Sequence, residues 1–244
     1  MKKEKIAEFY DGYVRYQLDN AFNERHLALF ARLKEMGLKP DSDVLEIGCG
    51  IGIITSMIAA YVKKGSVTAL DISPRSIEVA RERILHQSNI TFIAADVLSH
   101  PFRGKQFDFI TLFDVLEHIP MNEHAELFAR IGLLMKPQTV LLINIPHPHA
   151  IAYDREHAPE TLQAIDQALP ADHIVKNGYQ GGMNLVFFKT YSIWKENDYQ
   201  LIAFNKETRF TNRRMADQRG LLEKAPRKLK TIKARALAKK LYRL

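Results

Sequence analysis

Val44-Leu45-Glu46-Ile47-Gly48-Cys49-Gly50-Ile51-Gly52 (VLEIGCGIG) decides the fold. A short apolar run of strand character enters three alternating glycines, and residues 53–62 beyond them predict an apolar helix. Glycine lets the chain turn tightly and lets a ligand touch the backbone. In a doubly wound sheet this first strand-to-helix turn is the cofactor crevice. The spacing is G-x-G-x-G, with Ile53 standing where a dinucleotide fingerprint needs its third glycine. Glu46, two residues before the first glycine, disfavours a pyrophosphate and favours a cation. An NAD-dependent oxidoreductase is therefore a distant reading.

Working outward, residues 3–35 predict helix, with a core face at Leu27, Leu29, Phe30 and Leu33, closed by Gly37 and Pro40. Downstream, strands are expected at 66–70, 90–94, 107–113 and 139–143, and acids follow the first three: Asp71, Asp96 and Asp114. Helices are expected from Ser73-Pro74 to about Gln87 and over 123–135, with Ser73 as N-cap and Pro74 at the first helical position. Alternation at this spacing argues a parallel sheet covered on both faces. After Pro146 the pattern changes. A loop is expected over 147–153, helices over 156–169 and 171–179, and an antiparallel hairpin from 184–192 and 199–205. Residues 226–244 look like a basic amphipathic helix. The expected architecture is α/β: a doubly wound, mostly parallel sheet with N-terminal helices and a C-terminal basic helix. It divides into a lid segment 1–40, a ligand-binding domain 41–206 and a basic tail 207–244.

Composition narrows the chemistry. The single Cys49 excludes an internal disulfide framework, a multi-cysteine metal site and an iron–sulfur cluster held within this chain. No apolar stretch reaches membrane-spanning length and the N-terminus lacks a signal-peptide pattern, so a cytoplasmic protein is expected. Residues 207–244 hold 13 Lys/Arg against three Asp/Glu, a charge of +10, while the remainder holds 22 basic and 25 acidic residues, a charge of −3. The body is mildly acidic and the tail strongly basic.

S-adenosylmethionine (SAM) fits the acids and glycines together. Its ammonium and sulfonium suit Glu46, its ribose hydroxyls suit Asp71, and its adenine amino group suits Asp96 with the backbone of Val97 beside it. The segments VLEIGCGIG, ALDIS, AADV and FDFITLFDVLEHIP, within residues 42–145, resemble the successive motifs of class I SAM-dependent methyltransferases. That resemblance implies a Rossmann-like sheet of seven strands with the last antiparallel. It implies methionine-moiety contacts at Gly48 and Gly50 within the Gly48-Cys49-Gly50-Ile51-Gly52 loop. It further implies ribose contacts at Asp71 with Ile72, adenine contacts at Asp96 and Val97, and a methyl-transfer cleft edged by Phe113 and Asp114. N-terminal helices in this superfamily often cover the cofactor, and Tyr10, Tyr13 and Gln17 are the residues expected to face it.

The acceptor is less constrained. An oxygen nucleophile needs a general base, and His118, His147 and His149 are the catalytic candidates. The Glu117-His118 pair resembles ubiquinone-pathway O-methyltransferases. YDGYVRYQ, INIPHPHA and TYSIWKENDYQ resemble methyltransferases of bacterial surface-polysaccharide pathways, which implies a glycan or glycolipid acceptor methylated at oxygen. No fixed ligand spacing compels a metal among Asp114, Glu117 and these histidines, and none is assigned. The (Asp/Asn/Ser)-Pro-Pro-aromatic motif of base methyltransferases is missing after Asp114, which disfavours nucleic acid. Two rivals stay open: a nucleic-acid-directed enzyme that uses the tail on phosphates, and a SAM-binding protein without activity. The tail is also expected to contact an anionic membrane surface.

Overall fold

The glycine loop ends β1 (Asp43–Ile47), and β1 lies inside a seven-stranded sheet. The computed structural model describes residues 3–19, 22–163 and 165–207, so the basic helix expected over 226–244 lies outside the described residues. The other strands are β2 (Ser66–Asp71), β3 (Ile90–Ala94), β4 (Phe107–Phe113), β5 (Met135–Pro146), β6 (Asn184–Tyr191) and β7 (Tyr199–Asn205). Their order is β3-β2-β1-β4-β5-β7-β6. The first five strands are mutually parallel. Strand β7 runs antiparallel to β5 and β6, so it alone is reversed.

Alternation within the strands builds two cores. In β4, Ile110 and Leu112 point to one face and Phe109 and Phe113 to the other. The first face is covered by α5 (His124–Leu133) and α7 (Ala171–Gln180), through Leu127, Phe128, Ile131 and Ile174. The second is covered by α2 (Glu24–Glu35), α3 (Ile53–Tyr61) and α4 (Pro74–Arg83), through Leu29, Leu33, Ile58 and Ile77. Both faces are thus sealed, and the strand ends at one edge are where a ligand can reach the backbone.

Three expectations are corrected. The helix expected over 3–35 is two helices, α1 (Lys3–Asp19) and α2. Asn23 caps α2: its Oδ1 accepts from the Arg25 amide at 3.1 Å, and its own amide donates to His26 Nδ1 at 3.2 Å. Of the expected face of α2, Leu29 and Leu33 are buried, while Leu27 is 51% exposed. The loop expected over 147–153 is mostly helix, because Pro148 sits at the first position of α6 (Pro148–His157) and His147 Nδ1 accepts from the His149 amide. The helix expected over 156–169 does not form. Pro159 disfavours helical backbone at Ala158, only the turn Pro159–Thr161 follows, and residues 162–163 and 165–170 are irregular chain.

Candidate active site

The glycine loop is built for close approach. Gly48 has φ +75°, and a Cβ there would lie 2.2 Å from Val115 Cγ2. Gly50 has φ +52°, and a Cβ there would lie 2.9 Å from Gln17 Nε2. Both conformations are open to glycine at little cost. Asp71, at the end of β2, braces the loop: Oδ2 accepts from the Gly50 amide at 2.7 Å and Oδ1 from the Ser73 amide at 2.9 Å. Each of these oxygens keeps a second lone pair for another donor. Glu46 is buried and accepts from the Thr55 hydroxyl at 2.6 Å. Burial pushes its carboxyl up to about 8, against the pull of the Thr55 hydrogen bond.

A cavity of about 840 Å³ opens over these strand ends, within the range of roughly 300–1,000 Å³ usual for small-molecule sites. It brings together Glu46, Gly48, Cys49, Gly50, Asp71, Ile72, Asp96, Val97, Phe113 and Asp114 with Tyr10, Tyr13 and Gln17 of α1. Gly52 stands apart: it starts α3 at φ +83° and lines a smaller neighbouring cavity. Helix α1 roofs the main cavity and is tied at two points. Lys3 pairs with Asp96 and, at 3.3 Å, with Glu123. Asp11 Oδ1 accepts from the Ser73 hydroxyl and the Arg75 amide at the start of α4. Under this roof Tyr10 Oη and Gln17 Oε1 are buried without a hydrogen-bond partner among the described residues. Such groups mark a place where a polar ligand is expected.

His118 lies in the turn Leu116–His118 just after β4, and its ring lines the cavity. Its Nδ1 faces the Ile165 carbonyl at 2.5 Å and Asp166 Oδ1 at 3.1 Å, and its Nε2 lies 3.8 Å from Glu117 Oε1. Burial alone pushes this imidazole down, but the Glu117 and Asp166 carboxylates and the Ile165 carbonyl outweigh it and raise it above the ordinary value. Both Glu117 carboxyl oxygens are buried without a hydrogen bond among the described residues, and burial pushes Glu117 up to about 7. The Tyr10 ring packs edge-on to His118, with centroids 5.9 Å apart.

Residues 44–138 match the family described as "Methyltransferase domain". These residues thus carry a methyltransferase domain. It is 33% identical over 89 residues to demethylmenaquinone methyltransferase of Staphylococcus haemolyticus, covering 36% of this chain and 37% of that protein. The chain spans less than half the length of the curated relatives it matches. Its fold is similar to magnesium protoporphyrin IX methyltransferase of Synechocystis PCC 6803 with bound SAH, at TM-score 0.68 and 16% identity, covering 84% of this chain and 99% of that one. It is also similar to the N-methyltransferase NodS of Bradyrhizobium japonicum WM9, at TM-score 0.59 and 22% identity, covering 75% and 95%.

Not every expected residue meets in the methyltransferase domain's cavity. His147 and His149 do not line it: they sit at the start of α6, with ring centroids 5.1 Å apart, and His147 serves as a helix cap. Among the described residues no group of three or more His, Cys, Asp or Glu is placed to hold a metal ion. Arg25 of α2 pairs with Asp114 in the cavity wall. Trp194 and Tyr199 join the wall from the hairpin end, and Gln163 joins from the irregular segment. Asp166 and Ile165 carry no motif, and only their distances to His118 single them out.

Proposed function

We propose that this protein transfers a methyl group from SAM to an oxygen of a small-molecule acceptor. The observation that carries the reading is the His118 ring on the wall of the same cavity as the glycine loop, its Nδ1 hydrogen-bonded and its Nε2 without a hydrogen bond among the described residues. When bound, SAM would supply a sulfonium methyl carbon open to attack by the acceptor oxygen, with a neutral thioether as the leaving group. Glu46 and the Gly48–Gly50 backbone would hold its methionine end, Asp71 its ribose and Asp96 with Val97 its adenine. The donor set supports that assignment: carboxylates at successive strand ends, with unpartnered Tyr10 Oη and Gln17 Oε1 above them.

The protein's own part is to orient the acceptor oxygen, exclude water under α1 and take up the acceptor proton at His118 Nε2. Tyr16, Phe22 and Trp194 line the cavity while staying more than half exposed, at 57%, 61% and 58%. An aromatic rim of this kind suits a ring, aromatic or sugar, laid flat against it. The relatives' acceptors, a demethylmenaquinone and a porphyrin, are ring systems by name. An aromatic hydroxyl is the better match to an imidazole base, since a sugar hydroxyl is a much weaker acid.

The test is methyl-labelled SAM with the full chain and three acceptor pools: reduced quinones and phenols, undecaprenyl-linked or free glycans, and transfer RNA. Label in an ether-type methyl of a phenol or quinol is the expected result. Label in the glycan pool moves the acceptor to a sugar, label in RNA overturns the small-molecule reading, and SAM binding without transfer to any pool overturns the activity.

A further inference from the structure

We propose that Asp166 is a positioning residue for this reaction, holding His118 in the tautomer whose Nε2 accepts the proton. The inference rests on the reading of His118 as the base. A carbonyl oxygen accepts hydrogen bonds and never donates them, so Nδ1, 2.5 Å from the Ile165 carbonyl, must carry hydrogen. The Asp166 carboxylate stands 3.1 Å from that nitrogen and accepts the same hydrogen. A neutral His118 therefore has its lone pair on Nε2, and a hydrogen bond at one ring nitrogen fixes the role of the other.

Asp166 is itself held in place. Its Oδ2 accepts from the Gln163 amide at 2.5 Å, and its backbone carbonyl accepts from Arg155 Nη2 at 2.7 Å. The following residue stitches the segment to the turn that carries His118. Gln167 Nε2 donates to the Glu117 carbonyl at 2.9 Å and to the Ile119 carbonyl at 2.6 Å, and its Oε1 accepts from the Met121 amide at 3.1 Å. Residues 165–167 are thus tied to the turn that carries His118.

The same arrangement handles the charge that the reaction moves. Once Nε2 takes the acceptor proton, the imidazolium lies between Asp166 on one edge and Glu117 on the other, both with side chains under 10% exposed. Tyr10 of α1 is the titratable group packed edge-on to the ring, and Arg25 of α2 is the cation acting on Glu117. Carboxylates on both edges favour the charged ring. The proton then leaves to solvent or to Glu117, which restores the neutral base.

The experiment combines nitrogen-15 NMR of His118 with rate profiles of the full chain. Without cofactor or acceptor, the spectrum should show the neutral ring protonated at Nδ1, and D166N should lower the His118 titration midpoint. A ring protonated at Nε2, or a midpoint unmoved in D166N, overturns the proposal without reference to activity. In turnover, D166N should shift the acidic limb of the kcat profile to lower pH and reduce its plateau by part of the roughly 10²–10⁴-fold that a general base supplies. D166E should recover some of that loss, and SAH affinity should stay unchanged. Full rate in H118A overturns the base and with it this role for Asp166. A slow H118A beside a D166N of wild-type rate and profile overturns Asp166 alone.

Discussion

Asn144 Nδ2 donates to Asp114 Oδ1 at 2.9 Å, and Asn144 Oδ1 in turn accepts from the Tyr191 hydroxyl at 2.6 Å. This chain of contacts crosses the sheet from the end of β4 to the end of β6 in the closing hairpin. It also secures a backbone that most residues avoid, since Asp114 has φ +56°. Arg25 adds an ion pair from α2. Asn144 is fully buried, so N144L should leave both neighbours without their partner and cost about 1–3 kcal/mol. Y191F removes only the outer link and should cost about 0.5–1.5 kcal/mol. Denaturant unfolding of the two variants measures this, and an N144L within error of the parent rules the network out as a support for the cleft.

Gly48 and Val115 press together where the glycine loop meets the end of β4. G48A places a methyl against Val115 Cγ2 at 2.2 Å, which cannot be relieved by a rotamer change alone. Overpacking of this kind costs about 1–3 kcal/mol, and the left-handed backbone adds to it. V115A should remove the steric part and leave the backbone part. The double variant should therefore be more stable than the sum of the single losses predicts, by about 0.5–3 kcal/mol. Strict additivity in unfolding midpoints would show that the two side chains do not compete for this space.

The strand ends were readable because their signals are local. Glycine spacing, an acid after each of three strands and a proline or Ser-Pro helix start each lie within a few residues. That reasoning singled out the loop at 48–52, the acids at 71, 96 and 114 and His118, and all of these except Gly52 line the main cavity. It could not choose among histidines, because burial beside Asp166 is a contact over 48 residues, whereas exposure of His149 at a helix start depends on how Pro148 bends the chain. The break between α1 and α2 was missed for a similar reason: Asn23 is an ordinary polar residue until the His26 ring closes the capping box. Segment 162–170 carries no motif and reads as part of a helix over 156–169, so a role for Asp166 follows only from proximity.

The basic segment calls for a charge argument alone. The body carries −3 and residues 207–244 carry +10, so attraction of the chain to an anionic surface must come from that segment. Each Lys or Arg near such a surface contributes about 1 kcal/mol, and salt screens the effect within a Debye length of about 10 Å at 0.1 M. The full chain should sediment with phosphatidylglycerol vesicles at low salt, remain in solution with phosphatidylcholine vesicles, and leave the anionic vesicles as salt rises. Recovery in the supernatant with anionic vesicles at low salt would end the membrane reading.

Glu46 links cofactor binding to pH. Its carboxyl ionises near 4.5 when unconstrained but is pushed up to about 8 by burial. Across that window the unfolded chain has released a proton that the folded chain keeps, so this group makes stability fall as pH rises. E46Q cannot ionise and should flatten that part of the stability profile in thermal unfolding between pH 5 and 8. A cation beside Glu46 reverses the balance, because an opposite charge within a few ångströms favours the carboxylate. Binding of SAM or SAH, each bearing an ammonium group, should therefore expel close to one proton at pH 7, by the same linkage. Calorimetry in two buffers of different ionisation heat reads that proton directly: the apparent binding enthalpy should differ between buffers for the parent chain and agree for E46Q. Affinity should rise with pH toward 8 in the parent and stay level in the variant. Equal enthalpies in both buffers for the parent chain would mean that Glu46 stays protonated in the complex and that the cation is held elsewhere.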